Sequence, residues 1–300
     1  MNSKYYLAAI SAFVIWGMFS LPLRAIQEYE SVDILLSRIL IATFVMALIS
    51  VIFRRKITLQ NYRIFKNLEF KDKRNLVLIN SVSAVLLAIN WYLFIYVMNH
   101  ISVNATALAY MLCPIITTVL AYVFLKDRLS TIQWIAVSMS IFSCILLSIG
   151  HLTDVFYSFV IALSYAIYLI LQKKNHQLDR FFTLAFQITV GTILLLPLFS
   201  MQSDVPEKGL YFYAVAFLIA TVFTIVPMFL NVFSLNKLNS STAGIFIYMN
   251  PILSFTLAIF YFKEQMSSVQ IFAYLLVFFS VIIFNWKVIQ QLIKSRISDN

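Results

Sequence analysis

Long apolar runs recur along almost the whole chain, and they restrict how it can fold more than any other feature. Ten runs of about 20 residues carry few or no charged side chains: 6–24, 32–53, 75–98, 102–125, 131–150, 154–172, 181–200, 209–235, 239–262 and 268–286. A helix of this length crosses the roughly 30 Å hydrocarbon core of a bilayer. Because the runs are too long and too uniformly apolar for barrel strands, the sequence predicts an all-α integral membrane protein with ten transmembrane helices.

The composition agrees with this prediction and excludes several other classes of protein. Hydrophobic residues make up 62% of the chain and charged residues 11%, whereas a soluble domain is about 45–50% apolar and about 25% charged. A water-soluble fold has too little polar surface to cover so much apolar side chain. An ordinary soluble enzyme, a disordered chain and a nucleic-acid-binding domain are therefore excluded, although the net charge is +10.

No short motif predicts a metal site, a cofactor or covalent catalysis. Cys113 and Cys144 both lie inside apolar runs, and the three histidines fall in connections without a spaced ligand partner. The sequence has no Gly-rich phosphate loop and none of the signatures of metalloproteases or serine hydrolases. ATP-driven transport by this chain alone is therefore not expected.

The basic residues predict an orientation in the membrane. With the N-terminus in the cytoplasm, 18 of the 22 Lys and Arg residues lie on the cytoplasmic side, as the positive-inside rule requires. Ten spans then place both termini in the cytoplasm, and the first run is interpreted as a retained span rather than a cleaved signal peptide. The basic loop 54–74 has two interpretations: a short helix on anionic headgroups, or a solvated loop that only sets the topology.

An internal repeat appears when the chain is shifted by 137 residues, which places segment 98–114 over segment 235–251. The residues paired by the shift include Pro114 and Pro251, Lys126 and Lys263, Ser130 and Ser267, and Gln133 and Gln270. Each repeat, 1–150 and 151–300, holds five spans, and because five is odd the second copy must insert upside down. Inverted repeats predict a transporter with its site near the midplane, where the halves meet. The alternative is a duplicated scaffold without a transport role.

Several short stretches, spread over essentially the whole chain, match the pattern of a known family. They are FVIWG at 13–17, LSRI at 36–39, NWYLFIY at 90–96, FLKDRL at 124–129, TIVP at 224–227 and YMNP at 248–251. On these residues the chain resembles the drug/metabolite transporter superfamily, in particular its EamA-type group and the RarD-like permeases. The resemblance implies a ten-helix permease of the bacterial inner membrane with a central cavity. One departure is Lys126-Asp127-Arg128, where members often have a Gly-Glu-Arg-like end to span 4; an acidic residue is kept.

One basic residue, Arg38, lies inside a predicted span, and ionisable groups within a membrane are functional candidates by default. It follows Asp33 by five residues, which is about 7–8 Å along a helix. Its guanidinium could form a bidentate hydrogen bond with a carboxylate or phosphate of a substrate. The alternatives are that Arg38 snorkels to the outer headgroups or pairs with Asp33.

No Asp or Glu lies deep in any run, since Asp33 and Asp154 sit at the edges. Proton-driven exporters commonly place a carboxylate relay in the membrane. The sequence therefore favours a facilitator or an exchanger, with a coupling route through Asp33 left open.

Three prolines interrupt paired spans: Pro114, Pro227 and Pro251. Each removes a backbone donor and frees the carbonyl four residues earlier, which lipid tolerates only where that carbonyl faces protein or a wet cavity. Pro114 and Pro251 occupy equivalent positions in the two repeats. They are interpreted either as hinges around one central site or as benign kinks.

Polar and aromatic residues near these prolines are candidates for lining a substrate cavity. Aromatic faces suit flat or cationic substrates, and an amide in hydrocarbon needs a partner. With Arg38, the candidates are Trp16, Asn90, Trp91, Tyr110, Tyr165, Tyr248 and Asn250. For any single aromatic residue, helix packing or the interfacial belt is the competing interpretation.

The sequence thus predicts a transporter of small metabolites or drugs that works by alternating access, and not an enzyme. Its expected partners are membrane lipids and a small-molecule substrate that is amphipathic, anionic or zwitterionic. The competing classes are an integral-membrane enzyme acting on lipids and a lipid-facing scaffold. Export and import of a nutrient both stay open, because alternating access runs in either direction.

Overall fold

The computed structural model describes residues 3–126, 129–173, 178–197, 208–234, 246, 248–286 and 290, which form helices and connections without a strand. The α-helices in chain order are α1 (Ser3–Gly17), α2 (Ser20–Arg24), α3 (Ser31–Ile52), α4 (Arg55–Asn67), α5 (Phe70–His100), α6 (Val103–Leu125), α7 (Thr131–Lys173), α8 (Arg180–Leu195), α9 (Leu210–Ala220), α10 (Val226–Ser234), α11 (Met249–Thr256) and α12 (Ser268–Phe284). Two π-helical segments, Thr221–Ile225 and Leu257–Tyr261, follow α9 and α11.

The described helices are those of a membrane protein. Six helical stretches are long and apolar enough to cross a bilayer, and three further apolar helices are shorter. Large apolar side chains cover the outside of the bundle, including Phe53, Phe260 and Leu210 with exposed fractions of 82%, 77% and 87%. Such a surface suits lipid and not water. The chain is therefore an all-α membrane protein, as predicted.

The first predicted span, 6–24, coincides with the apolar helical stretch Lys4–Arg24, which is broken in its second half. Helix α1 ends at Gly17 and α2 begins at Ser20. The break lies where α1 meets α11 closely: a Cβ atom added at Gly17 would lie 2.7 Å from the Cβ atom of Leu253. Gly17 therefore allows the two helices to approach, which a larger residue would prevent.

The predicted spans 131–150 and 154–172 correspond to two helical parts of α7, which a sharp kink separates. Ile149, Gly150 and His151 have non-helical backbone angles, and Gly150 adopts a left-handed conformation with φ of 88°. Glycine takes this conformation without the steric penalty of a side chain. The part of α7 before the kink is called α7a and the part after it α7b.

Three further observations concern segments between or within predicted spans. The basic loop 54–74 contains the helix α4, which agrees with the interpretation of this segment as a short helix; its position on lipid headgroups stays a prediction. Helix α5 begins earlier than predicted, at Phe70. In the predicted span 239–262 the helix α11 starts at Met249, and residues 239–245 lie outside the described residues.

The two turns related by the 137-residue shift have the same backbone geometry. Lys126 and Lys263 are both left-handed, with φ of 58° and 53°. The helices that follow, α7 and α12, begin with matching reciprocal caps. The Gln133 side chain accepts from the Ser130 backbone N–H at 2.9 Å, and the Gln270 side chain accepts from that of Ser267 at 2.8 Å. Capping boxes of this kind satisfy donors that a helix start leaves free.

The first and second halves of the chain pack into each other rather than side by side. Helix α1 contacts α10 and α11, α3 contacts α8 and α9, and α12 contacts α7. Short hydrogen bonds join the halves inside the bundle, for example between the hydroxyls of Thr43 and Thr192 at 2.7 Å and those of Ser140 and Ser280 at 2.6 Å. Serine and threonine serve here as interhelical donors, as is common in membrane bundles.

Candidate substrate site and distal cavity

Arg38 lies in the interior of the bundle with an exposed fraction of 5%. Its Nε donates a hydrogen bond to the Thr224 hydroxyl at 3.0 Å. The guanidinium carbon lies 4.4 Å from the ring centroid of Trp91 and 5.0 Å from that of Phe19. Cation–π contacts of this length stabilise a guanidinium most strongly where water is excluded. Arg38 is thus held by one hydroxyl and two aromatic faces.

The structure agrees neither with snorkelling of Arg38 to the headgroups nor with its pairing with Asp33. Its burial excludes snorkelling to the headgroups. The carboxylate of Asp33 pairs instead with the ammonium of Lys208 at 2.9 Å. Among the described residues, no carboxylate lies within 4.0 Å of the Arg38 guanidinium. Its Nη1 is buried and has no hydrogen-bond partner, so the charge and one donor are left for another group.

Thr224 is positioned by the π-helical segment before Pro227. The Thr224 hydroxyl donates to the Ile219 carbonyl at 2.8 Å, five residues earlier, while it accepts from Arg38. The wider turn also lets the Val226 N–H reach the Thr221 carbonyl. Such π-bulges often occur at functional sites. Sequence reasoning did not select Thr224; the available signal was a hydroxyl that needs a partner three residues before a proline.

Two of the predicted cavity residues, Trp91 and Tyr110, belong to the aromatic environment of Arg38. Trp91 contacts the guanidinium directly. Tyr110 packs edge-on against Phe94 with ring centroids 5.4 Å apart, and Phe94 stacks on Phe19 at 5.7 Å. Phe19 was not selected from the sequence, because one phenylalanine among 28 carries no distinguishing signal. The aromatic residues form a connected wall around the charge.

Asn90 and Tyr165 make contacts on α7b. The Asn90 side-chain amide donates to the Ile161 carbonyl at 2.9 Å and to the Ser164 hydroxyl at 3.1 Å. Tyr165 stacks on Tyr168 with ring centroids 5.5 Å apart. The Asn90 hydrogen bonds join α5 to α7b and satisfy the buried amide nitrogen without a ligand, whereas the tyrosine stack lies within α7b.

Trp16, Tyr248 and Asn250 make their described contacts around α1, α11 and the end of α12. Trp16 packs on Phe13 at 5.4 Å. The Asn250 side-chain oxygen accepts from the Ser254 hydroxyl at 3.3 Å, and the Tyr248 hydroxyl accepts from the Asn285 amide at 3.1 Å. The structure therefore does not join these three residues to Arg38 through any described contact.

The three prolines have different surroundings. Pro114 lies inside the regular helix α6, whereas Pro227 follows directly on a π-helical segment. Pro251 is the third residue of α11, where a missing backbone donor breaks no intrahelical bond. Ile247, whose carbonyl Pro251 was expected to free, lies outside the described residues.

A cavity of about 630 Å³ lies at the end of the bundle where α2 ends and α6 begins, here called the distal cavity. Both halves of the chain contribute polar residues to its lining: Arg24, Ser102, Asn104, His151, Asp154 and Glu264. Its volume falls in the range of small-molecule sites, about 300–1,000 Å³. Sequence reasoning did not predict this cavity, because its lining comes from connections far apart in the chain.

Glu264 organises the wall of the distal cavity. Its carboxylate accepts from the backbone N–H groups of Val103 at 2.7 Å and Asn104 at 3.2 Å, and from the Asn104 side-chain amide at 2.8 Å. It also pairs with the Arg24 guanidinium at 3.2 Å. A carboxylate at a helix start satisfies free backbone donors and favours the helix dipole. Glu264 thus caps α6 from the other half of the chain.

Comparison with known proteins gives consistent matches over nearly the whole chain. The sequence pattern of the EamA-like transporter family matches twice, over residues 3–149 and 152–286. The chain is 28% identical over 285 residues to the uncharacterized transporter YojE of Bacillus subtilis, covering 92% of this chain and 91% of that protein. It is 26% identical over 264 residues to the protein RarD of Escherichia coli, covering 86% of each.

A solved crystal structure of a protein has the same fold with little sequence similarity. The TM-score is 0.63 at 11% identity, and the alignment covers 95% of this chain and 98% of the other. At this identity the likeness concerns the fold alone.

Proposed function

Because the chain belongs to the EamA-like transporter family and is a membrane transporter of the drug/metabolite type, we propose that it moves small metabolites or drugs across the bacterial inner membrane by alternating access. The substrate passes between two inverted five-helix repeats, 1–150 and 151–300. Both termini lie in the cytoplasm, which places the distal cavity on the outer side.

The single observation that carries this proposal is the unpaired charge of Arg38. A buried charge is stable only when it is paired or well hydrogen-bonded. Arg38 has one hydroxyl partner and a buried Nη1 without any. A carboxylate or phosphate of a substrate would supply the missing partner through a charge-assisted hydrogen bond. Arg38 is therefore the anchor for an anionic group.

The aromatic wall around Arg38 defines the rest of the substrate. Trp91 and Phe19 contact the guanidinium, and Phe94 and Tyr110 extend the wall. Flat apolar groups pack well on such rings. The substrate is accordingly an amphipathic molecule with an anionic or zwitterionic head and an apolar body.

The repeat geometry supports the inverted arrangement. The family pattern matches each half separately, and the left-handed lysines Lys126 and Lys263 introduce equivalent turns. The kink in α7 divides the apolar stretch Thr131–Gln172 into two helical parts. Counting these parts as two spans supports the proposed total of ten. Inverted repeats of this kind provide alternating access by exchanging the conformations of the two halves.

The first experiment is a ligand screen on the purified protein in detergent. The panel contains amino acids, nucleosides, carboxylates, aromatic cations and chloramphenicol, and a ligand is detected by the rise in apparent melting temperature that binding causes. Each hit is then tested for saturable flux in proteoliposomes. We expect a hit that carries an anionic group and that is transported.

Two variants make the screen decisive. Arg38→Ala removes the anchor, and we expect it to abolish both the thermal stabilisation and the flux. Arg63→Ala makes the same chemical change on the exposed surface of α4 and should leave both unchanged. Unchanged binding and flux in Arg38→Ala would refute the anchor. A hit that is turned over without crossing the membrane would instead support an enzyme, and the absence of any flux would support a scaffold.

A further inference from the structure

The lining of the distal cavity contains a carboxylate that has no counter-charge among the described residues. Asp154, at the start of α7b, accepts one hydrogen bond, from the Ser102 hydroxyl at 3.3 Å. Among the described residues, no Lys, Arg or His nitrogen lies within 4.0 Å of its carboxylate. The other carboxylate of the lining, Glu264, is already neutralised by Arg24. Asp154 is therefore the charge in the lining without a counter-charge.

A second, independent acceptor belongs to Asn104, which lines the same cavity. Asn104 has an exposed fraction of 5%, and its side-chain oxygen is buried without a hydrogen-bond partner. The orientation of this amide follows from its nitrogen, which donates to the Glu264 carboxylate at 2.8 Å. The unsatisfied atom is thus an acceptor, and leaving such an atom buried carries a desolvation penalty.

Hydrogen bonds hold Asp154 beside the first turn of α6. Ser102 is the N-cap of α6: its hydroxyl oxygen accepts from the Ala105 N–H at 2.9 Å while the hydroxyl donates to Asp154. The Ser158 hydroxyl, one turn after Asp154, donates to the Ala105 carbonyl at 2.7 Å. Asp154 is therefore docked against the first turn of α6, which also carries Asn104.

We propose that the distal cavity binds an organic ammonium ion, with the Asp154 carboxylate and the Asn104 side-chain oxygen accepting its N–H groups. An ammonium group supplies a positive charge and only donors, which is what these two acceptors lack. The volume of about 630 Å³ is far larger than a bare metal ion, and Tyr261 and Phe262 in the lining offer rings for an organic body. This site is separate from the Arg38 anchor and does not depend on it.

The test uses three probes of nearly equal size that differ in charge: benzylammonium, benzoate and benzyl alcohol. Binding to the full-length protein in detergent is measured by thermal stabilisation and by isothermal titration calorimetry at matched ionic strength. We expect benzylammonium to bind and the other two not to bind. Equal binding of benzoate or benzyl alcohol, or equal stabilisation by sodium chloride, would overturn the proposal.

Asp154→Asn is the informative variant, because it removes the charge and keeps an oxygen that can accept from Ser102. Because the variant loses a charge-assisted hydrogen bond to the ligand, we expect benzylammonium affinity to fall at least about tenfold. Glu30→Gln, which removes an exposed carboxylate outside the lining, controls for the overall charge and should leave affinity unchanged. Unchanged affinity in Asp154→Asn would refute the site.

The two proposed sites can fail independently. Arg38→Ala should leave benzylammonium binding intact, and Asp154→Glu should restore part of the affinity that Asp154→Asn loses. If Arg38→Ala abolishes benzylammonium binding while Asp154→Asn does not, the ammonium site is wrong and the probe binds at the Arg38 cluster.

Discussion

Arg24 and Arg38 are two arginines of the first half that reach into the second half, and they are held in opposite ways. Arg24 pairs with the Glu264 carboxylate at 3.2 Å, donates to the Gln27 side chain at 3.2 Å and lies over the Phe262 ring. Arg38 has a threonine hydroxyl and aromatic faces but no described acid. Arg24 therefore completes a structural contact, whereas Arg38 carries a charge that the fold does not neutralise.

The difference indicates how a charged residue that stabilises a membrane bundle can be distinguished from one that binds a ligand. Both arginines keep one buried nitrogen without a partner, Nε in Arg24 and Nη1 in Arg38, so an unsatisfied donor alone does not distinguish them. The presence of a counter-charge does. Removing a paired charge should destabilise the fold, while removing an unneutralised one should leave or improve stability.

The largest expected effect follows from the partner of Arg24. Glu264→Ala removes the ion pair and the acceptor for the Val103 and Asn104 N–H groups, so we expect the free energy of unfolding in micelles to fall by about 3 kcal/mol. Glu30→Ala, an exposed carboxylate that makes no cap hydrogen bond, should change it by less than about 0.5 kcal/mol. Similar losses for the two variants would show that Glu264 is not a structural cap.

A matched pair of substitutions tests the comparison directly. Arg24→Met should destabilise the protein by about 1–2 kcal/mol, because Glu264 loses its counter-charge. Arg38→Met should leave stability unchanged or raise it by about 1 kcal/mol, because an apolar chain replaces an unneutralised buried charge. Unfolding of both variants is followed by tryptophan fluorescence. A loss in Arg38→Met as large as that in Arg24→Met would contradict the distinction.

Thr224 provides a sharper test of how Arg38 is held. Thr224→Val keeps the shape but removes the acceptor of the Arg38 Nε, so we expect a loss of about 1 kcal/mol in stability. The same substitution in an Arg38→Met background should have little effect, since no guanidinium then needs the hydroxyl. A double-mutant cycle measures this coupling, and equal losses in both backgrounds would exclude the pairing.

The smallest expected effect concerns the turn that presents Glu264. Lys263 adopts a left-handed conformation with φ of 53°, which costs a residue with a side chain about 1 kcal/mol. We therefore expect Lys263→Gly to stabilise the fold by about 0.5 kcal/mol in the same unfolding assay, less than the full strain because glycine also gains entropy when unfolded. Destabilisation would mean that the Lys263 side chain, not the turn, matters there.

The sequence predicted those features of the membrane architecture that depend on one helix at a time. Runs of apolar residues gave the helices, and the shift of 137 residues paired turns that prove to share left-handed lysines and capping boxes. The bounds of the first span agree with the apolar stretch Lys4–Arg24, but the break after Gly17 was not predicted. A break of that kind depends on the approach of Leu253, which no local pattern contains.

The candidate site was predicted only in part. Arg38 was recognisable because a lone basic residue in an apolar run is costly, and Trp91 proves to contact it. Asn90 was selected by residue type; its amide nitrogen donates to the Ile161 carbonyl and the Ser164 hydroxyl, and its place in a cavity stays a prediction. Thr224 was overlooked because hydroxyls in membrane helices usually bond to their own backbone.

What the sequence by itself determined is the class of the molecule, an all-α membrane protein, because long apolar runs require spanning helices. The tertiary structure decided which charges are neutralised. Asp33 pairs with Lys208 and Arg24 pairs with Glu264, each with a residue far away in the chain. Arg38 has the Thr224 hydroxyl as a partner but no carboxylate among the described residues. The physical reason is that the length of an apolar run is a property of one segment. An ion pair, in contrast, forms only when tertiary packing brings two side chains from distant parts of the chain to within a few ångströms of each other.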